Sequence, residues 1–153
     1  MVDFVNSLAG SLDSELMLAL AFLALTTAVT ASGIPWVILP ISFSSGVLLG
    51  GRLGIAVILA GAIIGSQLLF IAVRRGLAGR VRHRLGERLD RYDREISKRG
   101  FAYVIGLRLM GAPNLLVSSA CALSTLRART FALATLIGIT PTIVLAVTAG
   151  TAV

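Results

Sequence analysis

The chain alternates long apolar runs with short polar breaks, and charge is confined to the breaks. No charged residue occurs in 16–51, 53–73, 109–126 or 130–153, runs of 36, 21, 18 and 24 residues. About 18–20 apolar residues cross a bilayer core at the helical rise. The runs are of two kinds. Segments 16–32, 53–73 and 130–150 are clean and predict full transmembrane helices. Segments 33–51 and 101–126 are choppy. The first contains Pro35, Pro40, Ser42, Ser44, Ser45 and Gly46; the second contains Arg108, Gly111, Pro113, Asn114, Ser118 and Ser119. Proline removes a donor and clashes with the preceding turn, and glycine frees the backbone. Pro35, Pro40, Gly46, Gly111 and Pro113 therefore read as hairpin breaks. Each choppy run predicts a re-entrant hairpin that enters and leaves on one side. Such backbone is tolerated at membrane depth only where protein or a wet cavity covers it.

The two halves repeat. Pro40 and Gly65 are 25 residues apart, as are Pro113 and Gly138, and the pairs are offset by 73. Paired broken segments in corresponding halves point to a transport site. The expected fold is an all-α polytopic membrane protein, a single domain over 1–153. It has about three full transmembrane helices, two opposed re-entrant hairpins forming an inverted repeat, and one amphipathic surface helix.

That surface helix is expected over 77–99. Leu77, Val81, Leu85, Leu89, Tyr92 and Ile96 form a one-face stripe. Glu87 and Arg91, Asp90 and Arg94, and Glu95 and Arg99 are spaced i,i+4, which supports the helix locally. With Arg80, Arg82, Arg84 and Arg88 on its polar face, it reads as a helix on the membrane surface or as one packed on the protein's own loops. Segment 74–99 holds ten basic and four acidic residues, which the positive-inside rule assigns to the cytoplasm. With Arg127 and Arg129 on the same side, the second hairpin opens to the cytoplasm and the first to the opposite side. The N-terminus has no Lys or Arg before Arg52. A cleavable leader needs a basic n-region, so 16–32 reads as a retained helix.

Composition agrees with a membrane protein: 56% hydrophobic, 14% charged, mean hydropathy +0.92, against ~25% charged in ordinary globular domains. The net charge of +7 suggests nucleic acid until its segregation is seen. Membrane lipids with anionic headgroups are the expected partners, with homo-oligomers possible. Cys121 has no disulfide partner and reads as a packing residue. His83 lies on the polar side of the surface helix without an acid–base partner nearby. No catalytic constellation, phosphate-cradling loop, metal-ligand spacing or cofactor motif is present, so no enzyme activity is expected.

Arg108 is the sharpest single candidate. An ionisable residue within a membrane segment costs ~2.5–3.5 kcal/mol on insertion scales, and a guanidinium fork suits phosphate or carboxylate. It reads as a substrate anchor or as a snorkelling helix-end residue. Asn114, Ser118 and Ser44 read as polar supports of a substrate path or as close-packing residues.

The run Leu107-Arg108-Leu109-Met110-Gly111-Ala112-Pro113-Asn114-Leu115-Leu116, with Thr130-Phe131 and Gly138-Ile139-Thr140-Pro141, resembles the VTT (SNARE-associated Golgi protein) domain of the DedA superfamily, in its TVP-like branch. Pro40, Gly46, Gly50 and Gly54 are similar to that family's first hairpin. The resemblance covers roughly 33–150. It implies a polytopic protein with two opposed re-entrant hairpins, and lipid scrambling or transport of polyprenyl-phosphate carriers, with proton coupling proposed. The expected location is a bacterial inner (plasma) membrane, with loop 74–99 cytoplasmic by the positive-inside rule. The motif arginine carries over to Arg108. Gly111 stands where a proline is usual, and Asn114 near a second arginine of the DedA branch. Segment 16–51 holds no carboxylate, so a proton-coupling acid in the first hairpin has no counterpart. The expected function is a transporter, flippase or scramblase of an anionic lipid or polyprenyl phosphate. The alternative is a non-transporting scaffold acting through its basic helix and a protein partner.

Overall fold

Six α-helices carry the described chain: α1 (Val2–Ser32), α2 (Ile38–Leu49), α3 (Gly51–Ala72), α4 (Ala78–Leu109), α5 (Asn114–Leu123) and α6 (Ala128–Thr151). A π-helical stretch, Val73–Leu77, joins α3 to α4. The computed structural model describes residues 2–34 and 36–153, with side chains from Gly10 onward except those of Leu85 and Leu89. Pro35 therefore lies outside the described residues, as do two side chains of the amphipathic stripe. Three helical stretches are long and apolar enough to cross a membrane: Gly10–Ser32, Gly51–Arg84 and Ala128–Thr151. Among the described residues there is no strand. The protein is an all-helical integral membrane protein.

Small residues set the directions of the helices. A Cβ at Gly61 would meet Thr26 Cβ at 2.9 Å, and one at Gly65 would collide with Thr30 Oγ1. Since both positions advance together, α1 and α3 run parallel. α2 turns tightly at Gly50 and returns against α3, with Gly54 beside the Ser45 carbonyl. α6 runs against α3: Gln67 Nε2 donates to the Ala128 carbonyl at 2.9 Å, and Gly51 sits near Thr151 at the other end. α5 runs parallel to α3, since Ser66 meets Asn114 and Arg74 meets Ala122.

The second half reverses these directions. α4 bends at Gly86 (φ 46) and Gly100 (φ 52). Such left-handed backbone suits glycine, which lacks a Cβ, and it divides α4 into 78–85, 87–99 and 101–109. The last arm leads into a tip at 110–113, and α5 returns from it. The first half likewise comes to a tip at 33–37, between α1 and α2. The tips face each other, with a Cβ at Gly33 only 2.9 Å from Leu115 Cβ.

The breaks differ from the sequence expectation in the first half. Segment 33–51 is not a hairpin by itself: 38–49 is one unbroken helix, and its partner arm is the end of α1. Pro40 falls in the first turn of α2, where a backbone N–H has no intrahelical partner to lose. Gly46 stays helical, and its missing side chain lets α2 approach the Val147 carbonyl of α6. Pro113 does mark a break, standing at the N-cap of α5 with ψ 131. Pro141 lies inside α6 without ending it.

The arginine-rich stretch is packed on the protein itself. Val81 and Ile96 are buried in one core cluster with Leu69, Phe70, Val73 and Phe131, and Leu77 and Tyr92 pack against it. Arg80, Arg82, Arg84 and Arg88 are exposed. Of the three expected i,i+4 pairs, Glu95–Arg99 is an ion pair at 3.5 Å, and Arg94 instead reaches the Asp90 carbonyl. Arg74 was not singled out by the sequence. Its guanidinium donates to the carbonyls of Ala122 (2.9 Å), Ser124 (3.0 Å) and Leu126 (2.8 Å) and lies 4.4 Å from the Phe70 ring centroid. A cation on the free carbonyls at the C-terminal end of α5 favours both the orphan acceptors and the helix dipole.

Candidate functional site

The two tips meet around Arg108, at the end of the 101–109 arm. Its side chain is 7% exposed. Close approach of α6 makes this position possible: a Cβ at Gly138 would collide with Arg108 Cβ. Nη1 donates to Asn114 Oδ1, Nη2 donates to Ser118 Oγ at 3.2 Å, and the guanidinium carbon lies 5.7 Å from the Phe131 ring centroid. Nε has no acceptor. Among the described residues no carboxylate pairs with it. A buried cation held only by neutral acceptors is expensive, and an open donor edge is where an anion would relieve it.

Asn114 organises the surroundings. Its Oδ1 accepts from Arg108, from Ser118 Oγ (3.1 Å) and from Ser66 Oγ (3.2 Å). Its Nδ2 donates to the Thr30 carbonyl at 2.6 Å. Beside this cluster lies a cavity of 140 Å³. Arg108, Gly111 and Pro113 line it from one tip, Thr30, Ile34 and Trp36 from the other. Ala62 and Ser66 of α3 and Ile139 and Ile143 of α6 contribute to the walls. Drug-sized ligand pockets hold ~300–1,000 Å³, so this cavity suits a headgroup-sized fragment. Its polar lining is Arg108 with Asn114, Ser66, Thr30 and Thr142, and the rest is mainly apolar.

The structure thus gathers Arg108, Asn114 and Ser118 as sequence reasoning grouped them. It does not bring in Ser44, which is exposed on α2 while Ser42 and Ser45 turn inward. Their hydroxyls bond to the Ile38 and Ser42 carbonyls of their own helix. Ser66 and Thr30 take the place expected of Ser44. A signal for Ser66 existed: Gly54, Ile58, Gly61, Ala62, Gly65 and Ser66 form one buried stripe at helical spacing. Gly111 has φ 73, which a proline locked near φ −65° cannot adopt, so the tip requires glycine here. Arg80, Arg82, Arg84 and Arg88 lie on the arginine-rich stretch, outside the cavity. Among the described residues no group of His, Cys, Asp and Glu is arranged to hold a metal ion.

An all-helical membrane protein in which two opposed tips meet at a buried arginine is consistent with a membrane transport role. The family model of the VTT domain matches residues 34–152. The chain therefore belongs to the VTT domain family, within the SNARE-associated/DedA superfamily. No curated protein matches the chain. No solved structure matches it.

Proposed function

We propose that this protein carries an anionic lipid or lipid phosphate across its membrane, with the headgroup held on Arg108 between the two tips. One observation carries the reading. Arg108 is buried, has no carboxylate partner among the described residues, keeps an Nε without an acceptor and lines a headgroup-sized cavity. The opposed tips then act as two re-entrant hairpins, each opening the cavity toward one leaflet. On this reading the end of the molecule that carries the arginine-rich stretch 74–99 faces the cytoplasm of a bacterial inner membrane, a side the positive-inside rule supports. Asn114 and Ser118 orient the guanidinium, and Ser66 supports Asn114.

Proteoliposomes carrying fluorescent phosphatidate, with dithionite added outside, measure leaflet exchange directly. Wild-type protein is expected to accelerate exchange, and Arg108→Gln to lower the rate at least tenfold, about 1.4 kcal/mol. Wild type no faster than empty vesicles would sink the reading.

A second reading rests on the exposed face of Arg80, Arg82, Arg84 and Arg88: a scaffold that binds anionic headgroups or an acidic protein partner and moves nothing. Under it, neutralising those four arginines abolishes function while Arg108→Gln is silent.

A further inference from the structure

Trp36 combines three features that folding of the free chain does not explain. Its φ is 70, the positive value among the described non-glycine residues. For a bulky side chain this is a strained conformation; Gly33 (φ 71) and Gly111 (φ 73) meet the same demand without a Cβ. The ring is 69% exposed, so little packing offsets the strain. Among the described residues no aromatic stacking or cation–π contact holds it. Yet Trp36 lines the cavity that Arg108 lines from the opposite tip.

The cavity, at 140 Å³, is well below the ~300–1,000 Å³ of drug-sized ligand pockets, so a lipid whose headgroup it holds extends beyond it. Anything attached to a bound anion must leave by the mouth, where Trp36 and Ile34 are exposed. An indole face presents a large rigid apolar surface at small entropic cost.

We infer that Trp36 is the specificity-determining residue of the Arg108 cavity, its indole covering the first carbons of a hydrocarbon chain whose phosphate head sits on the guanidinium. The inference rests on the reading of Arg108 as an anion anchor. It separates an alkyl phosphate from free phosphate, which offers Arg108 the same chemistry but gives Trp36 nothing to cover.

Trp36 is the sole tryptophan of the chain, so its emission reports on this position alone. Full-length protein in a non-ionic detergent is titrated with octyl phosphate and with inorganic phosphate. Calorimetry follows binding and fluorescence follows Trp36. Octyl phosphate is expected to bind tighter and to shift the emission to the blue saturably, with both effects lost in Arg108→Gln. Trp36→Gly, which suits the left-handed backbone and should leave the melting temperature unchanged, is expected to shrink the preference for octyl phosphate by roughly tenfold. Trp36→Phe should keep most of it. An undiminished preference in Trp36→Gly overturns the role of Trp36, as does unshifted emission at calorimetric saturation; both leave Arg108 as the anchor. A shift that persists in Arg108→Gln marks simple partitioning and also overturns it. Binding of neither probe by wild type overturns the anchor itself.

Discussion

Asn114 joins four helices through one amide: Thr30 of α1, Ser66 of α3, Arg108 of α4 and Ser118 of its own helix. Its oxygen receives three donors, so removing it strands several buried polar groups at once. Each such group costs about 1–3 kcal/mol. Asn114→Ala is expected to destabilise the protein by about 3 kcal/mol in thermal or SDS unfolding. Asn114→Asp is the sharper probe. It keeps the acceptor, loses the bond to Thr30 and hands Arg108 an internal counter-ion. A guanidinium paired that way has no need of an external anion. Leaflet exchange should fall to the level of Arg108→Gln, while unfolding stays closer to wild type than in Asn114→Ala. Wild-type exchange in Asn114→Asp would show that the charge of Arg108 is not what receives the substrate.

At the scale of elements, glycines decide how closely the helices approach. Gly65 has no room for a Cβ beside Thr30, and Gly138 has none beside Arg108. Overpacking of this kind costs about 1–3 kcal/mol, and here the neighbours are a hydroxyl in a backbone bond and the stem of the site arginine. Gly65→Ala and Gly138→Ala should each lower stability by about that amount, and Gly138→Ala should also slow exchange by displacing Arg108. Gly106, helical in α4 with nothing near its missing Cβ, is the control. Gly106→Ala should be neutral or stabilising by up to ~1 kcal/mol. Equal losses at all three positions in thermal unfolding would refute the close-approach account. The same pair, Gly65 and Gly138, already stood out in the sequence as the ends of matching intervals, and the structure gives them one task. The prolines were less legible. Pro40 and Pro113 occupy equivalent repeat positions, yet one is absorbed in a first helical turn and the other caps a helix at the tip. Nothing local separates them; the register of each helix against its neighbours does. Ser44 failed for the same reason, since the choice among Ser42, Ser44 and Ser45 depends on which face of α2 meets α6. Arg108, Asn114 and Ser118 were legible because spacings of six and four residues keep them together across a single turn.

For the whole molecule, chain direction is the testable property. α1, α2 and α3 alternate in one sense, and the 101–109 arm, α5 and α6 alternate in the other, so the halves share a plan with reversed polarity. That arrangement brings two tips to one level and lets each arm lead to a different end of the molecule. It also separates the charges. Arg52 lies by the turn between α2 and α3, while Ser97 lies in the arginine-rich stretch at the far end of α3. In a Cys121→Ala background, Arg52→Cys and Ser97→Cys should react with a membrane-impermeant maleimide from opposite faces of the membrane. Ile34→Cys and Met110→Cys, both exposed at the tips, should resist the reagent from both faces to a similar degree, since the proposed carrier needs both tips at mid-depth. Reaction of the two tip cysteines from a single face would place both hairpins on one side. The cavity at Arg108 would then open to one compartment only, and a carrier that alternates between leaflets could not be built from this fold.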